Sequence, residues 1–219
     1  MQGHAAEGAM AKGTNAKRRG STLPVRTISP SDLPPRDEAS GLVHVLVDTP
    51  RGSPVKFKFD PEKRCYTIAH VLPPGAVFPF DFGSVPRTLA EDGDPLDMVV
   101  LIEHATFPGC LVSVRLVGVL AAKQTQNGKT MRNDRLIGAA GESRVFREVK
   151  GLRDLPGRLL EELEHFFVSY NEERGRRFRV LGGYGPRRAE AVLRAGERRF
   201  SRREDDRRGK GESRGSRRI

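Results

Sequence analysis

The chain has 219 residues, a formal net charge of +11 and a pI near 10.2. It is long enough for one domain with a sizeable core, and its basic balance points to polyanionic partners such as phosphates or nucleic acid. Two cysteines, Cys65 and Cys110, show no metal-type spacing and fit a reduced intracellular setting, and no apolar run is long enough for a membrane span.

Residues 1–38 read as a disordered leader, Gly-, Ala-, Lys- and Ser-rich over residues 2–30 and carrying the basic cluster Lys12, Lys17, Arg18 and Arg19. They lack the apolar segment of a secretory signal, so a cytoplasmic location is expected, and Met10 is a second candidate start. From Leu42 to Asp48 apolar residues alternate as in a half-buried strand. After the turn Arg51-Gly52-Ser53-Pro54, Val55, Phe57 and Phe59 share one strand face and Lys56 and Lys58 the other. A third strand, Tyr66 to Leu72, carries His70. Phe78 to Gly83 reads as an aromatic loop packed in the core, and Leu111 to Ala122 as one or two strands bent at Gly118. A polar loop over 124–133 precedes a short strand from Arg135 to Ala140.

The second half changes period. Asp154 is placed to cap a helix with Pro156 in its first turn, whose apolar residues Leu159, Leu160, Leu163, Phe166, Phe167 and Tyr170 recur at helical spacing. A brief strand, Phe178 to Leu181, ends at Gly182-Gly183, and residues 186–195 form a last short helix. The domain therefore spans 39–196. Residues 197–219, rich in Arg, Glu, Asp, Gly and Ser, read as a disordered basic tail. Short strands separated by turns suggest a closed barrel rather than a parallel sheet.

The chemistry is concentrated at Glu91-Asp92-Gly93-Asp94-Pro95-Leu96-Asp97, which feeds the apolar run Met98 to Ile102. Three aspartates on one tight turn repel each other, and a hard cation with oxygen ligands relieves that repulsion. Mg²⁺ takes one or two carboxylates and keeps its waters and substrate phosphates. The competing reading is a solvated acidic turn.

The string Asp92, Asp94, Pro95, Asp97, Met98 resembles the D-x-D-P-x-D signature of the family I soluble inorganic pyrophosphatases. The resemblance extends from about Val43 to Ala195, through Pro54-Val55-Lys56-Phe57, Phe78-Pro79, Phe82-Gly83, Val117-Gly118-Val119-Leu120 and His165-Phe166-Phe167 with Tyr170. It implies a mainly β chain with flanking helices (α+β), built on an OB-like five-stranded β-barrel. It further implies Mg²⁺-dependent (or Mn²⁺-dependent) hydrolysis of pyrophosphate, with Asp92 and Asp97 on the activating metal and Asp94 as the catalytic group that accepts a proton from, or orients, the attacking water. Lys56 and Tyr170 would hold phosphate oxygens, and a homo-oligomer, a hexamer in bacterial members, is expected.

Measured against that pattern, the chain departs at several site positions. Val47 stands where the family has a Glu, with Asp48 on the opposite strand face. Lys58 replaces a second Glu, His70 an Arg, and Phe78 and Phe82 two tyrosines. Gln124 and Asn133 replace two loop aspartates, Arg135 stands for a lysine, and the helix ends Tyr170-Asn171. A one-residue shift would let Asp134 supply the missing loop carboxylate. Three readings follow: a working, divergent pyrophosphatase; a catalytically impaired member that binds a phosphate ligand or a partner; or a nucleic-acid-associated OB-like protein using its basic tail. The absence of Trp and the acidic break Glu204-Asp205-Asp206 weaken the third.

Overall fold

Residues 29–215 are described by a computed structural model. In chain order the elements are β1 (Val43–Thr49), β2 (Val55–Asp60), β3 (Cys65–Val71), β4 (Asp81–Val85), β5 (Leu96–Leu101), β6 (Leu111–Gln126), β7 (Lys129–Arg132), β8 (Arg135–Ala140), α1 (Leu159–Glu172), β9 (Arg177–Tyr184) and α2 (Pro186–Gly215). Strands pair in the order β1-β4-β5-β8-β6, and β6 returns to β1, so five strands close a ring. This is the expected OB-like arrangement. Only β5–β8 is parallel within the sheet, β7 and β9 extend β6, and β2–β3 forms a separate hairpin.

The continuous apolar runs are explained by burial on both faces. Val99 and Leu101 of β5 and Ile137 and Ala139 of β8 pack in one cluster with Leu159, Leu163 and Phe167 of α1. Their neighbours Met98, Val100, Leu136 and Ala140 pack in a second cluster with Ala189 and Leu193 of α2. The period-two alternation of the strands thus assigns one helix to each face. Gly83 is required where β1 crosses β4, because a Cβ there would stand 2.3 Å from the Leu46 carbonyl oxygen.

Several expected boundaries move. The aromatic loop opens into β4 at Asp81, and the polar loop over 124–133 is largely strand, because β6 runs on to Gln126 and turns at Asn127-Gly128 into β7. The bend at Gly118 is present as a register shift between Leu116 and Gly118 against β8. Asp154 does not cap α1. Its carboxylate accepts the Lys150 and Gly151 N–H groups around a 3-10 turn, and α1 starts after Arg158. β9 passes through Gly182-Gly183 to Tyr184, with Gly182 at φ +127° absorbing a bulge against β6.

The largest correction concerns the ends of the domain. The segment expected as a disordered tail is helical from 197 to 215, as the second half of α2. Tertiary anchors override its polar composition: Gly196 lies so close to Leu96 that a Cβ would meet its Cδ1 at 2.5 Å. Arg199 Nε donates to the Leu89 carbonyl (2.7 Å), and the Arg87 guanidinium covers the Phe200 ring. At the other end, residues 29–38 of the expected leader are held to the domain by Arg36, which forks onto Glu190 (2.8 Å) and reaches Glu197 (3.4 Å). Residues 1–28 and 216–219 of the two expected tails lie outside the described residues. No helix among the described residues is long and apolar enough to cross a membrane.

Candidate active site

A cleft of about 700 Å³ opens between the β2–β3 hairpin, the turn before β5, the end of α1 and the second half of α2. The Gly-Pro turn presents its three aspartates to it. Asp92 Oδ1 accepts the Asp94 N–H at 3.1 Å, an Asx-type bond that fixes the turn, and Asp97 follows on the first residues of β5. Burial pushes the Asp92 carboxyl up, and repulsion from Asp97 and Asp94 adds to it. The other two aspartates face cations: Lys58 Nζ lies 2.7 Å from Asp94 Oδ1, and Arg135 Nη1 lies 2.6 Å from Asp97 Oδ2.

Lys56 enters from β2 with its ammonium 4.0 Å from the Phe82 ring centroid and 5.7 Å from that of Phe78. The two phenylalanines thus provide π faces beneath a cation. Lys56 is pulled below its ordinary range by burial, against the opposing pull of Asp48 and Asp97. Tyr170, at the end of α1, stacks on Phe166 and accepts a 2.8 Å bond from Arg174 at its hydroxyl. Arg135 is 5% exposed and sits among the rings of Phe82, Phe167 and Phe178. It also donates to Asn133, whose Nδ2 in turn donates to Gln124 Oε1 at 2.9 Å.

Asp48 is the residue the sequence reading turned the wrong way. It lines the cleft with Leu46, while Val47 is fully buried and outside the lining. The register of β1 against β4 slips here, from Val47 opposite Gly83 to Thr49 opposite Phe82, and Asp48 is the extra residue of that bulge. Burial pushes its carboxyl up to about 6, although Lys56 opposes the shift. No signal in the sequence located it, because strand periodicity carries no mark of a single inserted residue.

The structure brings Lys56, Asp92, Asp94, Asp97, Arg135 and Tyr170 to one cleft, and leaves two tentative positions outside its lining. Asp134 accepts the Ala122 N–H (2.9 Å) and pairs with Arg132 (2.7 Å), so it does not replace the lost loop carboxylate. His70 lies opposite Lys56 on β3 and presents its ring to the edge of Tyr170 at 6.0 Å.

The sequence profile of the inorganic pyrophosphatase family matches residues 45–201. The chain belongs to this family. The inorganic pyrophosphatase of Thermus thermophilus is 35% identical over 153 residues, covering 68% of this chain and 85% of that protein. That of Synechocystis is 34% identical over 148 residues, again covering 68% and 85%. The crystal structure of the Thermus thermophilus enzyme superposes with a TM-score of 0.72 at 32% identity, over 80% of this chain and 99% of that one. The Helicobacter pylori enzyme gives 0.68 at 28% identity over 73% and 94%. The family match includes the acidic turn, Lys56, Tyr170 and Arg135, and ends inside α2.

Among the described residues no cluster of three or more acidic, His or Cys side chains stands ready to hold a metal ion. Asp92, which has no ion-pair partner among the described residues, still carries excess negative potential from Asp94 and Asp97. That donor set fits a divalent ion that brings its own waters and shares the substrate's phosphates, and does not fit a preformed cage.

Proposed function

We propose that this chain hydrolyses inorganic pyrophosphate to two phosphates in the cleft, with a divalent cation, Mg²⁺ or Mn²⁺, entering with the substrate. The observation that carries the reading is the convergence of Asp92, Asp94 and Asp97 with Lys56 and Tyr170 on one cleft of a family-type fold. Asp92 and Asp97 are the residues that would hold the ion, which when bound lowers the pKa of water and offsets phosphate charge. Lys56 holds a phosphate oxygen as a point charge, and the Tyr170 hydroxyl donates to another. Asp94 takes the proton of the attacking water as the new O–P bond forms and the bridging P–O bond breaks, releasing the second phosphate. Arg135 positions Asp97 through their ion pair. A cytoplasmic setting fits the two free thiols, and a homo-oligomer is proposed from the family alone.

A second reading, phosphate binding without useful turnover, is favoured by two features. Lys58 neutralises Asp94, and the amides Gln124 and Asn133 are bonded to each other. The deciding experiment measures phosphate release from pyrophosphate by the full chain across a Mg²⁺ and Mn²⁺ titration. An Asp92→Asn/Asp97→Asn double variant controls for contamination. Turnover lost in the double variant establishes the hydrolase; no turnover above that control, in folded protein, sinks it and leaves the binding reading.

A further inference from the structure

We propose that the outer half of the cleft is an anion subsite for a linear condensed phosphate longer than pyrophosphate. The inference rests on the cleft being the pyrophosphate site and extends it outward. The inner end is filled by the acidic turn, Lys56, Arg135 and Tyr170, yet the cleft's volume of about 700 Å³ is that of a site for a much larger ligand. Its outer lining carries Arg87, Arg174 and Arg176, then Arg203 and Arg207 of α2.

The first three and Arg203 have no carboxylate partner among the described residues; Arg207 is paired with Glu204 at 3.3 Å. Arg203 reaches only the Gly93 carbonyl, at 3.4 Å. Arg176 Nε is buried with no hydrogen-bond partner; burial and the neighbouring Arg174 disfavour its charge, against a weaker pull from Tyr170, Asp92 and Asp94, none of which forms an ion pair with it. Guanidinium forks gathered on one cleft wall suit a multivalent oxyanion. Arg203 and Arg207 lie beyond the family match, which ends at 201, so this rim is an addition of the extended α2.

The rim offers charge and no free ring for a nucleobase. Phe200 is covered by Arg87, 5.9 Å from its centroid, and Phe59 packs on Tyr66 at 5.5 Å. A chain of repeating phosphoryl groups matches that surface better than a nucleoside does.

The test is calorimetric titration of the metal-free full chain with pyrophosphate, tripolyphosphate and ATP, each at two salt concentrations. Tripolyphosphate is expected to bind about tenfold more tightly than pyrophosphate, with the steeper salt dependence. Arg176→Gln/Arg207→Gln should erase that advantage and leave pyrophosphate affinity within roughly twofold, while Arg176→Lys/Arg207→Lys retains most of it. Equal affinities for the two phosphates, equal salt slopes in the wild type, or an advantage that survives the Gln substitutions would overturn the subsite. ATP binding more tightly than tripolyphosphate would overturn the choice of ligand. Arginine-dependent tripolyphosphate binding in a chain that does not hydrolyse pyrophosphate would sink the hydrolase reading alone.

Discussion

Lys58 Nζ lies 2.7 Å from Asp94 Oδ1, so the carboxylate at the apex of the acidic turn is neutralised by a side chain of the same protein. Both side chains are about half exposed, 52% and 58%, so water screens the pair and its worth to stability is small. Its functional weight is larger, because a fixed ammonium competes with any divalent cation that approaches Asp94.

Lys58→Ala is therefore expected to change stability by less than about 1 kcal/mol. It should also tighten Mg²⁺ binding roughly tenfold, by removing a like charge from the metal's neighbourhood. Calorimetric Mg²⁺ titration and the urea midpoint measure both. Weaker Mg²⁺ binding in the variant would show that Lys58 supports the metal site rather than competing with it.

The acidic turn was legible because Asp, Gly and Pro at that spacing have few other uses, and the ring of strands because apolar runs and turns alternate along the chain. What escaped the sequence depended on register and long-range contact. Asp48 reaches the cleft through a bulge, and strand periodicity cannot locate a bulge. Residues 197–215 look unfoldable from composition, yet Gly196, Arg199 and Phe200 fasten that helix to the Arg87–Leu96 region. The commitment of the Asp134 carboxylate to the Ala122 backbone is likewise a contact across 12 residues that local sequence does not announce.

Asp48 predicts a pH dependence. Its folded-state carboxyl lies near 6 against an ordinary 3.8, so the folded protein binds the proton more tightly than the unfolded chain. The group favours folding most below pH 4, and that contribution is lost as pH rises towards 6. By pH 7 the loss is about 3 kcal/mol, from a shift of roughly two units. Urea denaturation of metal-free protein between pH 4 and 7 should show this decline, and Asp48→Asn should flatten it. An unchanged slope in the variant would assign the pH dependence elsewhere, Asp92 being the next group raised by burial.

Arg135 is 5% exposed, paired with Asp97 and enclosed by three phenylalanine rings. Arg135→Ala removes the counter-charge of Asp97 and the filling of an aromatic cage at once. A loss of about 3–5 kcal/mol is expected in the urea midpoint, with Arg135→Lys losing less because it keeps the charge. Equal losses in the two variants would mean that the guanidinium's shape matters more than its charge.

Gln124 and Asn133 offer a direct test of how many metal ions the proposed site can use. Their amides are bonded at 2.9 Å, and Arg135 donates to the Asn133 oxygen, so both side chains already line the cleft beside Arg135. Gln124→Asp/Asn133→Asp would set two carboxylates there with one arginine to share. Without metal they repel, and a stability loss of about 1–3 kcal/mol is expected from two buried groups left imperfectly paired. With millimolar Mg²⁺ the loss should reverse, because an ion bound only by the folded state stabilises it by mass action. Phosphate release should rise by at least about tenfold, since a second ion would offset charge on the departing phosphate. Thermal unfolding with and without Mg²⁺, beside the pyrophosphate assay, reads all three effects. Rescue of stability by Mg²⁺ without any gain in turnover would place the deficit of this site at Lys58 and Asp94, rather than in the number of ions it can hold.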